Sequence, residues 1–152
     1  MNVIVGCVII DNDKVLLVRE AKGSERGKLG FPVGHLEDNE TIIEGALRET
    51  YEESGYEVKV KSILPITEVS NDHGKYILII FGADIISKHD VMFSDVSEVV
   101  WMDVEDVFNL GENEFRHSSV NKEILKKVIN NQVYSLDLID CSKNKMEVNV
   151  CA

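Results

Sequence analysis

The sequence has few cysteines, few prolines and no apolar run long enough to cross a membrane. Its three cysteines are an odd number without CxxC spacing, which argues against a disulfide framework or a zinc site. Two prolines in 152 residues exclude a proline-rich linker or a collagen-like repeat. The longest apolar runs fall far short of the roughly 18–20 residues that a membrane span needs. We therefore expect a cytoplasmic protein of a reducing compartment, with no membrane partner.

Basic residues are also scarce, since 16 Lys and Arg stand against 27 Asp and Glu, giving a net charge of −11. Such a chain is a poor general binder of anionic polymers, so we expect no nucleic-acid partner. The charge is uneven, because residues 34–56 hold one basic and seven acidic side chains. This segment is either a solvated helix face or a site that collects cations.

The hydrophobic patterns predict an α/β fold. Residues 3–10 and 14–19 are typical of strands, and the Asp-Asn-Asp turn between them predicts a hairpin. Further segments with strand or helix patterns follow along the chain. Strands are predicted at 56–63, 75–86 and 98–101, with 64–70 extended, and helices at 40–54, 103–110 and 120–130. Strands interrupted by a few helices, without strict alternation, predict a mixed sheet covered by helices.

We divide the chain into a main domain, residues 1–132, and a C-terminal extension, residues 133–152. Apolar and polar residues alternate on both sides of a Cys-Ser-Lys-Asn turn in the extension, which predicts a β-hairpin packed on the same domain. The edge groups of an exposed hairpin seek partners. We therefore expect the extension either to cover the cleft or to pair with a second copy in a homodimer.

The predicted helix at 40–54 carries three carboxylates on one face. Glu49, Glu52 and Glu53 stand at i, i+3 and i+4, and Arg48 can pair with Glu52 one turn along. Two unit charges about 6 Å apart repel by roughly 3 kcal/mol at an effective dielectric constant near 20. In a cleft this repulsion favours a bound divalent cation, and oxygen ligands favour Mg²⁺, Mn²⁺ or Ca²⁺. On an exposed face, water and salt would screen it.

The spacing of the whole segment favours the cation site. From Gly34 to Tyr56 it follows G-x5-E-x7-R-E-U-x-E-E-x-G-U, where U is apolar, and so resembles the Nudix box. All seven specified residues are present, namely Gly34, Glu40, Arg48, Glu49, Glu52, Glu53 and Gly55. Thr50 and Tyr56 fill the apolar slots, and Val33 stands where the family often has a second glycine. The order of VIVGCVIIDNDKVLLVRE, FPVGHLED and SEVVWMDVEDV around the box extends the resemblance over most of the chain.

The resemblance implies a Nudix hydrolase, folded as an α/β/α sandwich with a mixed sheet. Members of this family use Mg²⁺ to cleave a pyrophosphate bond in a nucleoside diphosphate linked to another group. For this protein we expect Mg²⁺, with Mn²⁺ as the alternative. By similarity, Glu52 and Glu53 would be the main metal ligands, and Glu49 a further ligand or the general base. The backbone carbonyl of Gly34 would join the metal shell, and Arg48 would orient the glutamates.

Other residues have predicted roles by the same resemblance. Glu40 would organise the loop and helix as much as it catalyses. Either Asp95 or Glu98 would supply an extra carboxylate, and the sequence does not choose between them. Arg19 is predicted to reach a substrate phosphate from the end of the second strand. Phe31 is a candidate to contact the substrate base, although such a residue more often belongs to the core.

Signals for particular substrates are mostly absent. The proline typical of ADP-ribose hydrolases and the SQPWPxS stretch of NADH hydrolases are both missing. By exclusion we expect a small-molecule nucleotide substrate, a (deoxy)nucleoside triphosphate or an oxidised nucleotide. An ADP-ribose or nucleotide-sugar pyrophosphatase is the alternative enzyme. A non-catalytic, nucleotide-sensing Nudix domain is the third reading, which the complete set of box carboxylates disfavours.

Overall fold

The computed structural model describes residues 2–91 and 94–141, which form two β-sheets and the helices that cover them. Its strands are β1 (Asn2–Val8), β2 (Ile10–Asp11), β3 (Lys14–Glu20), β4 (Leu29–Gly30), β5 (Val33–His35), β6 (Tyr56–Ile63), β7 (Thr67–Asn71), β8 (Gly74–Lys88) and β9 (Val96–Asp103). The helices are α1 (Ile42–Ser54), α2 (Val104–Phe108) and α3 (Ser118–Ile129), followed by a 3₁₀ helix (Leu136–Leu138). No helix within the described residues is long and apolar enough to cross a membrane.

The first sheet is mixed, as the sequence predicts. Its strands run in the order β5-β1-β8-β6, and β7 pairs with the first half of β8. Strand β1 is parallel to β8, while the other pairs of this sheet are antiparallel. In the second sheet β3 pairs antiparallel with β9 along one edge and with the short β2 and β4 along the other.

Helices cover both faces of the first sheet. Alternate residues of β1 point to opposite faces, so Val5 and Cys7 pack in the cluster that holds Ala46 of α1. Val8 belongs to the other cluster, together with Leu125 of α3. This arrangement is the expected α/β/α sandwich, and it buries the apolar side of α1 while leaving its carboxylate side at the edge of the sheet.

The ends of α1 are fixed by local chemistry. The Thr41 hydroxyl accepts a hydrogen bond from the Glu44 amide at 3.2 Å, and the Glu44 carboxylate accepts one from the Thr41 amide at 3.0 Å. This capping box starts the helix at Ile42, two residues later than predicted. Gly55 ends it in the left-handed conformation, with φ 77°. The caps fix where the three carboxylates of the helix point.

The predicted N-terminal hairpin is largely wrong. Only Ile10 and Asp11 pair with β3, while β1 lies between β5 and β8 in the other sheet. A strand with apolar side chains on both faces is stabilised best between two helical layers, and a hairpin arm would leave one face uncovered. The structure also contains a short strand that the hydrophobic pattern does not predict, since β4 pairs with β3.

The predicted strand at the start of the C-terminal extension is also wrong. Tyr134 makes an isolated antiparallel bridge with Ile63, and Leu136–Leu138 then form the 3₁₀ helix. The Ser135 hydroxyl accepts a hydrogen bond from the Asp137 amide at 3.1 Å, and this local bond favours a turn over a strand. The second predicted strand lies outside the described residues, so the hairpin as a whole and the boundary at 132/133 stay predictions.

Candidate active site

Arg48 is the centre of an ion-pair network on α1 and the preceding loop. Its Nε and Nη2 donate to the two oxygens of Glu40 at 2.9 and 2.7 Å. Its Nη1 donates to Glu49 at 2.8 Å and to Glu52 at 3.1 Å, and Nη2 also donates to the His35 carbonyl at 3.1 Å. A planar guanidinium bound in this way fixes the orientation of several carboxylates. This geometry fits the orienting role that the resemblance implies for Arg48.

Both carboxylate oxygens of Glu40 are occupied. Besides the two bonds from Arg48, Oε1 accepts from the Glu37 amide at 3.0 Å, and the Glu40 side chain is only 10% exposed. The hydrogen bond from Arg48 is the main reason that the pKa of Glu40 lies below its ordinary value. Glu40 therefore fastens the loop before α1 to the helix, and its oxygens are already committed to that task.

Glu53 is in the opposite situation. Its Oε2 is buried and has no hydrogen-bond partner within the described residues. Burial is the main cause that raises the pKa of Glu53 to about 9, and the nearby carboxylates of Glu20 and Glu49 contribute to the same shift. Burial also raises the pKa of Glu49. Negative charge is thus concentrated here without a sufficient counter-charge, which is the environment that a cation would stabilise.

Gly34 lies directly against the carboxylate of Glu49. A Cβ atom at residue 34 would overlap the Glu49 carboxyl group, so any other residue here would displace that carboxylate from its present position. The strand pairing of Val5 with Gly34 holds the backbone there. The structure thus brings the Gly34 backbone and the α1 carboxylates together, as the resemblance predicts for a metal shell.

The donor set fits a hard divalent cation. Within residues 2–91 and 94–141, no three acidic, His or Cys side chains already converge on one point. However, the unpaired Glu53 oxygen, the neighbouring Glu49 and Glu52 and the Gly34 carbonyl provide oxygen atoms alone, which suits Mg²⁺ or Mn²⁺. The residues present therefore fit the implied metal, with Glu49, Glu52, Glu53 and Gly34 as the ones that would hold it.

The carboxylate face of α1 lines a cleft with the loop before β9. This cleft, of about 310 Å³, is bounded by Glu49, Glu52, Glu53, Ser94, Asp95 and Val96. Asp95 also acts electrostatically on Glu53 and raises its pKa. Glu98 is not among the residues that line the cleft. It is paired with Arg19 at 2.8 Å on the second sheet, while Asp95 is paired with Lys22 at 3.3 Å. Of the two predicted extra carboxylates, the structure brings Asp95 to the site.

Arg19 lies away from the position that the sequence predicts for it. Besides Glu98, it donates to the Gly27 carbonyl at 2.9 Å, and it lines neither the carboxylate cleft nor the cavity described next. The pairing of β3 with β9 sets Arg19 opposite Glu98, so the side chain is used between strands. The geometry does not support a contact between Arg19 and a substrate phosphate.

A second cavity, of about 290 Å³, opens beside Gly34, and we call it the α3 cavity. It lies between β1, β5, β7, β8 and the start of α3. Phe31 lines it but is only 2% exposed and packs edge-on against Phe115, with ring centroids 5.8 Å apart. Phe31 thus forms a wall of the cavity, as the core interpretation expects. The remaining lining residues are Asn2, Ile4, Val33, Gly34, His35, Val69, His73, Tyr76, Leu78, Arg116, His117, Val120 and Asn121.

Two residues near the site were missed by the sequence analysis. Arg116, before α3, donates from Nη1 to Glu20 Oε1 at 2.7 Å, and both charges act on Glu53. Glu20 and Arg116 are 96 residues apart and hold no fixed spacing to the box. Nothing in the sequence marks them except that each adjoins a segment with a strand or helix pattern.

Comparisons with known proteins agree with the observed fold. The NUDIX domain family profile matches residues 1–127. The ADP-ribose pyrophosphatase of Methanocaldococcus jannaschii is 29% identical over 121 residues, which cover 78% of this chain and 70% of that protein. The NUDIX hydrolase structure from Nitrosomonas europaea superposes with a TM-score of 0.83 at 25% identity, covering 91% of this chain and 95% of that one.

Some relatives are much longer than this chain. Human 8-oxo-dGDP phosphatase NUDT18 is 36% identical over 66 residues, 43% of this chain but only 20% of that protein. The match to a Caenorhabditis elegans relative, 33% identical over 99 residues, covers 64% of this chain and 26% of that protein.

Proposed function

Because this chain belongs to the NUDIX family, we propose that it is a divalent-cation-dependent hydrolase that cleaves a pyrophosphate bond in a nucleoside diphosphate linked to another group. The names of its relatives support an enzyme of the pyrophosphohydrolase class. The observation that carries the proposal is the buried Glu53 oxygen, which has no hydrogen-bond partner in the described part of the chain and belongs to a cleft lined by the box carboxylates. We propose Mg²⁺ or Mn²⁺ as the cation.

Different residues of the chain have different roles in the proposed reaction. A cation held by Glu49, Glu52, Glu53 and the Gly34 carbonyl would neutralise phosphate charge and acidify bound water. Arg48 holds Glu49 and Glu52 in place, and Glu40 holds Arg48. Glu49, whose raised pKa reflects its burial, or Asp95 at the cleft wall would accept the proton of the attacking water. The α3 cavity beside Gly34 would take the nucleoside.

For the substrate we propose a (deoxy)nucleoside triphosphate or an oxidised nucleotide first. The name of the human relative, an 8-oxo-dGDP phosphatase, supports this class. An ADP-ribose or nucleotide-sugar pyrophosphatase is the alternative, supported by the name of the M. jannaschii relative. Cytoplasmic location and a homodimer stay predictions.

A substrate panel with a matched pair of variants tests the proposal. Wild-type protein with Mg²⁺ or Mn²⁺ would be assayed with nucleoside triphosphates, oxidised guanine nucleotides, ADP-ribose and nucleotide sugars. The products are pyrophosphate or phosphate monoesters, so the readout is the phosphate released from them by added pyrophosphatase or phosphatase. We expect Glu53→Gln to lose at least about 100-fold in kcat, since catalytic electrostatic groups commonly contribute this much. Glu105→Gln makes the same charge change on α2, outside both cavities, and should retain full activity.

The result that would contradict the proposal is equal turnover by wild type and Glu53→Gln. Saturable nucleotide binding without hydrolysis of any panel member would instead favour the nucleotide-sensing domain.

A further inference from the structure

The α3 cavity differs in charge from the rest of this acidic protein. Among the residues that the structure describes, no Asp or Glu lines it, although the chain has a net charge of −11. Arg116 is the one Arg or Lys that lines it among the described residues, and three of the chain's four histidines line it as well. Such a cavity favours an anionic ligand, whereas most of the molecular surface repels one.

The backbone of Arg116 is held in place from several directions. Its amide donates to the Leu29 carbonyl at 2.8 Å, and its carbonyl accepts from Asn121 Nδ2 at 2.7 Å. The aliphatic part of the side chain lies over Gly30, where a Cβ would be only 3.4 Å from it. Arg116 is therefore a positioned residue tied to β4 and α3, rather than a solvated charge on a loop.

The guanidinium of Arg116, in contrast, has spare hydrogen-bonding capacity. Nη1 donates to Glu20 at 2.7 Å, but the buried Nε has no partner among the described residues. Arg48 shows what a fully committed arginine looks like here, since all three of its nitrogens donate to protein oxygens. An unpartnered buried donor costs free energy unless a ligand supplies the acceptor.

Arg116 lines a cavity that adjoins the carboxylates of α1, because Gly34 also lines this cavity and lies against the Glu49 carboxylate. The charges of Arg116 and of its partner Glu20 also act on Glu53. A phosphate chain running from a nucleoside in the cavity to a cation on those carboxylates would pass Arg116.

We propose that Arg116 binds the phosphate chain of the substrate at this junction, and that Glu20 is the positioning residue that aims its guanidinium. The inference rests on the proposed function, because it needs a pyrophosphate-containing ligand. A guanidinium presents donors in a planar fork that matches phosphate oxygens, and it stays charged throughout the physiological pH range.

Replacement of Arg116 tests the binding role. We expect Arg116→Met to raise KM for the best panel substrate at least about tenfold, because charged hydrogen bonds to phosphate contribute strongly. Arg116→Lys, which keeps the charge but not the fork, should recover part of this loss. Lys61→Met removes a cation paired with Asp84 at 2.8 Å, outside both cavities, and should leave KM unchanged.

A double-mutant cycle separates positioning from folding. Glu20→Gln should raise KM by about three- to tenfold, and Glu20→Gln with Arg116→Met should be no worse than Arg116→Met alone. The double variant also avoids leaving Glu20 as an unpaired, nearly buried carboxylate. Independent, additive effects of the two changes on KM would overturn the positioning role of Glu20.

Binding of methylenediphosphonate with Mg²⁺, measured by calorimetry, gives a readout that needs no turnover. We expect Arg116→Met to raise the Kd for this probe about tenfold. If wild type hydrolyses the substrate and both KM and this Kd are unchanged in Arg116→Met, the Arg116 inference is wrong and the proposed function stands. If wild type binds the probe through Arg116 but hydrolyses nothing, the proposed reaction is wrong and the inference stands. If wild type neither binds the probe nor hydrolyses any panel member, both are wrong. If wild type hydrolyses a substrate but does not bind the probe, the KM of Arg116→Met decides, and an unchanged KM overturns the Arg116 inference.

Discussion

Glu53 links the stability of the metal-free protein to pH. Its folded-state pKa of about 9 lies above the ordinary 4.5. Between these values the folded state keeps a proton that the unfolded state has lost, so the free energy of unfolding falls as pH rises. The contribution of Glu53 is fully present below pH 4.5 and is lost as pH rises through about 9. The carboxylate that would serve catalysis therefore weakens the fold in the absence of a cation.

We predict that Glu53→Gln is more stable than wild type in EDTA at pH 8, by on the order of 2 kcal/mol. Glutamine has nearly the same shape as glutamate and carries no charge, so burying it does not require the desolvation of an ionised group. Thermal unfolding from pH 5 to pH 9 measures the difference, which should shrink toward pH 5. Added Mg²⁺ should raise the Tm of wild type more than that of the variant, because a ligand stabilises the state that binds it. A pH-independent difference would contradict the assigned pKa shift.

At the scale of the element, the end of α1 depends on a glycine for two separate reasons. Gly55 has φ 77°, and a Cβ there would overlap the His89 carbonyl. Gly27 also has a positive φ, 87°, but a Cβ there would meet nothing within 4 Å. The two residues therefore separate the cost of backbone conformation from the cost of close packing.

We expect Gly27→Ala to lower the free energy of unfolding by about 1 kcal/mol, the usual cost of a left-handed alanine. Gly55→Ala should lose about 3 kcal/mol, since the backbone at His89 must also shift. Urea unfolding measures both. Equal losses would show that the α1 terminus adjusts without strain. Because α1 carries the site carboxylates, Gly55→Ala should also reduce activity, whereas Gly27→Ala should not.

At the scale of the whole molecule, residues 133–139, at the start of the C-terminal extension, pack against the core of the main domain. Val133 packs against the cluster on the α3 side of the first sheet, while Leu136 and Ile139 pack against the cluster on the α1 side. Tyr134 adds the bridge to Ile63 in β6. Because these contacts reach both hydrophobic clusters, the beginning of the extension contributes to the stability of the domain, whatever its later residues do.

Alanine substitutions of two nearby leucines would measure the contribution of this segment to the free energy of unfolding. We predict that Leu136→Ala lowers the free energy of unfolding by about 1–2 kcal/mol, because the side chain loses apolar contacts. Leu138 is 70% exposed, so Leu138→Ala should change stability by less than about 0.5 kcal/mol. Denaturant unfolding gives both values. Light scattering of the Leu138 variant also tests the predicted homodimer, since an exposed leucine at a subunit contact would alter the mass while stability stayed constant.

The sequence by itself determined the parts of this protein that depend on local spacing. Glu49, Glu52 and Glu53 share a face because helical geometry puts residues i, i+3 and i+4 together, and the box spacing brings Gly34 and Glu40 to that face. The family, the fold class and the central helix follow from those residues. Within the box, contacts span at most a loop and a helix, so few alternatives compete.

Only the tertiary structure decided what depends on distant pairing. Parallel pairing of β1 with β8 replaced the predicted hairpin, since apolar residues on both faces of β1 need two covering layers. The register of β3 against β9 places Arg19 opposite Glu98. Asp95, just before β9, lines the cleft instead. The Glu20–Arg116 pair joins residues 96 positions apart. Such contacts are set by the free energy of packing the whole chain, and no local pattern records them.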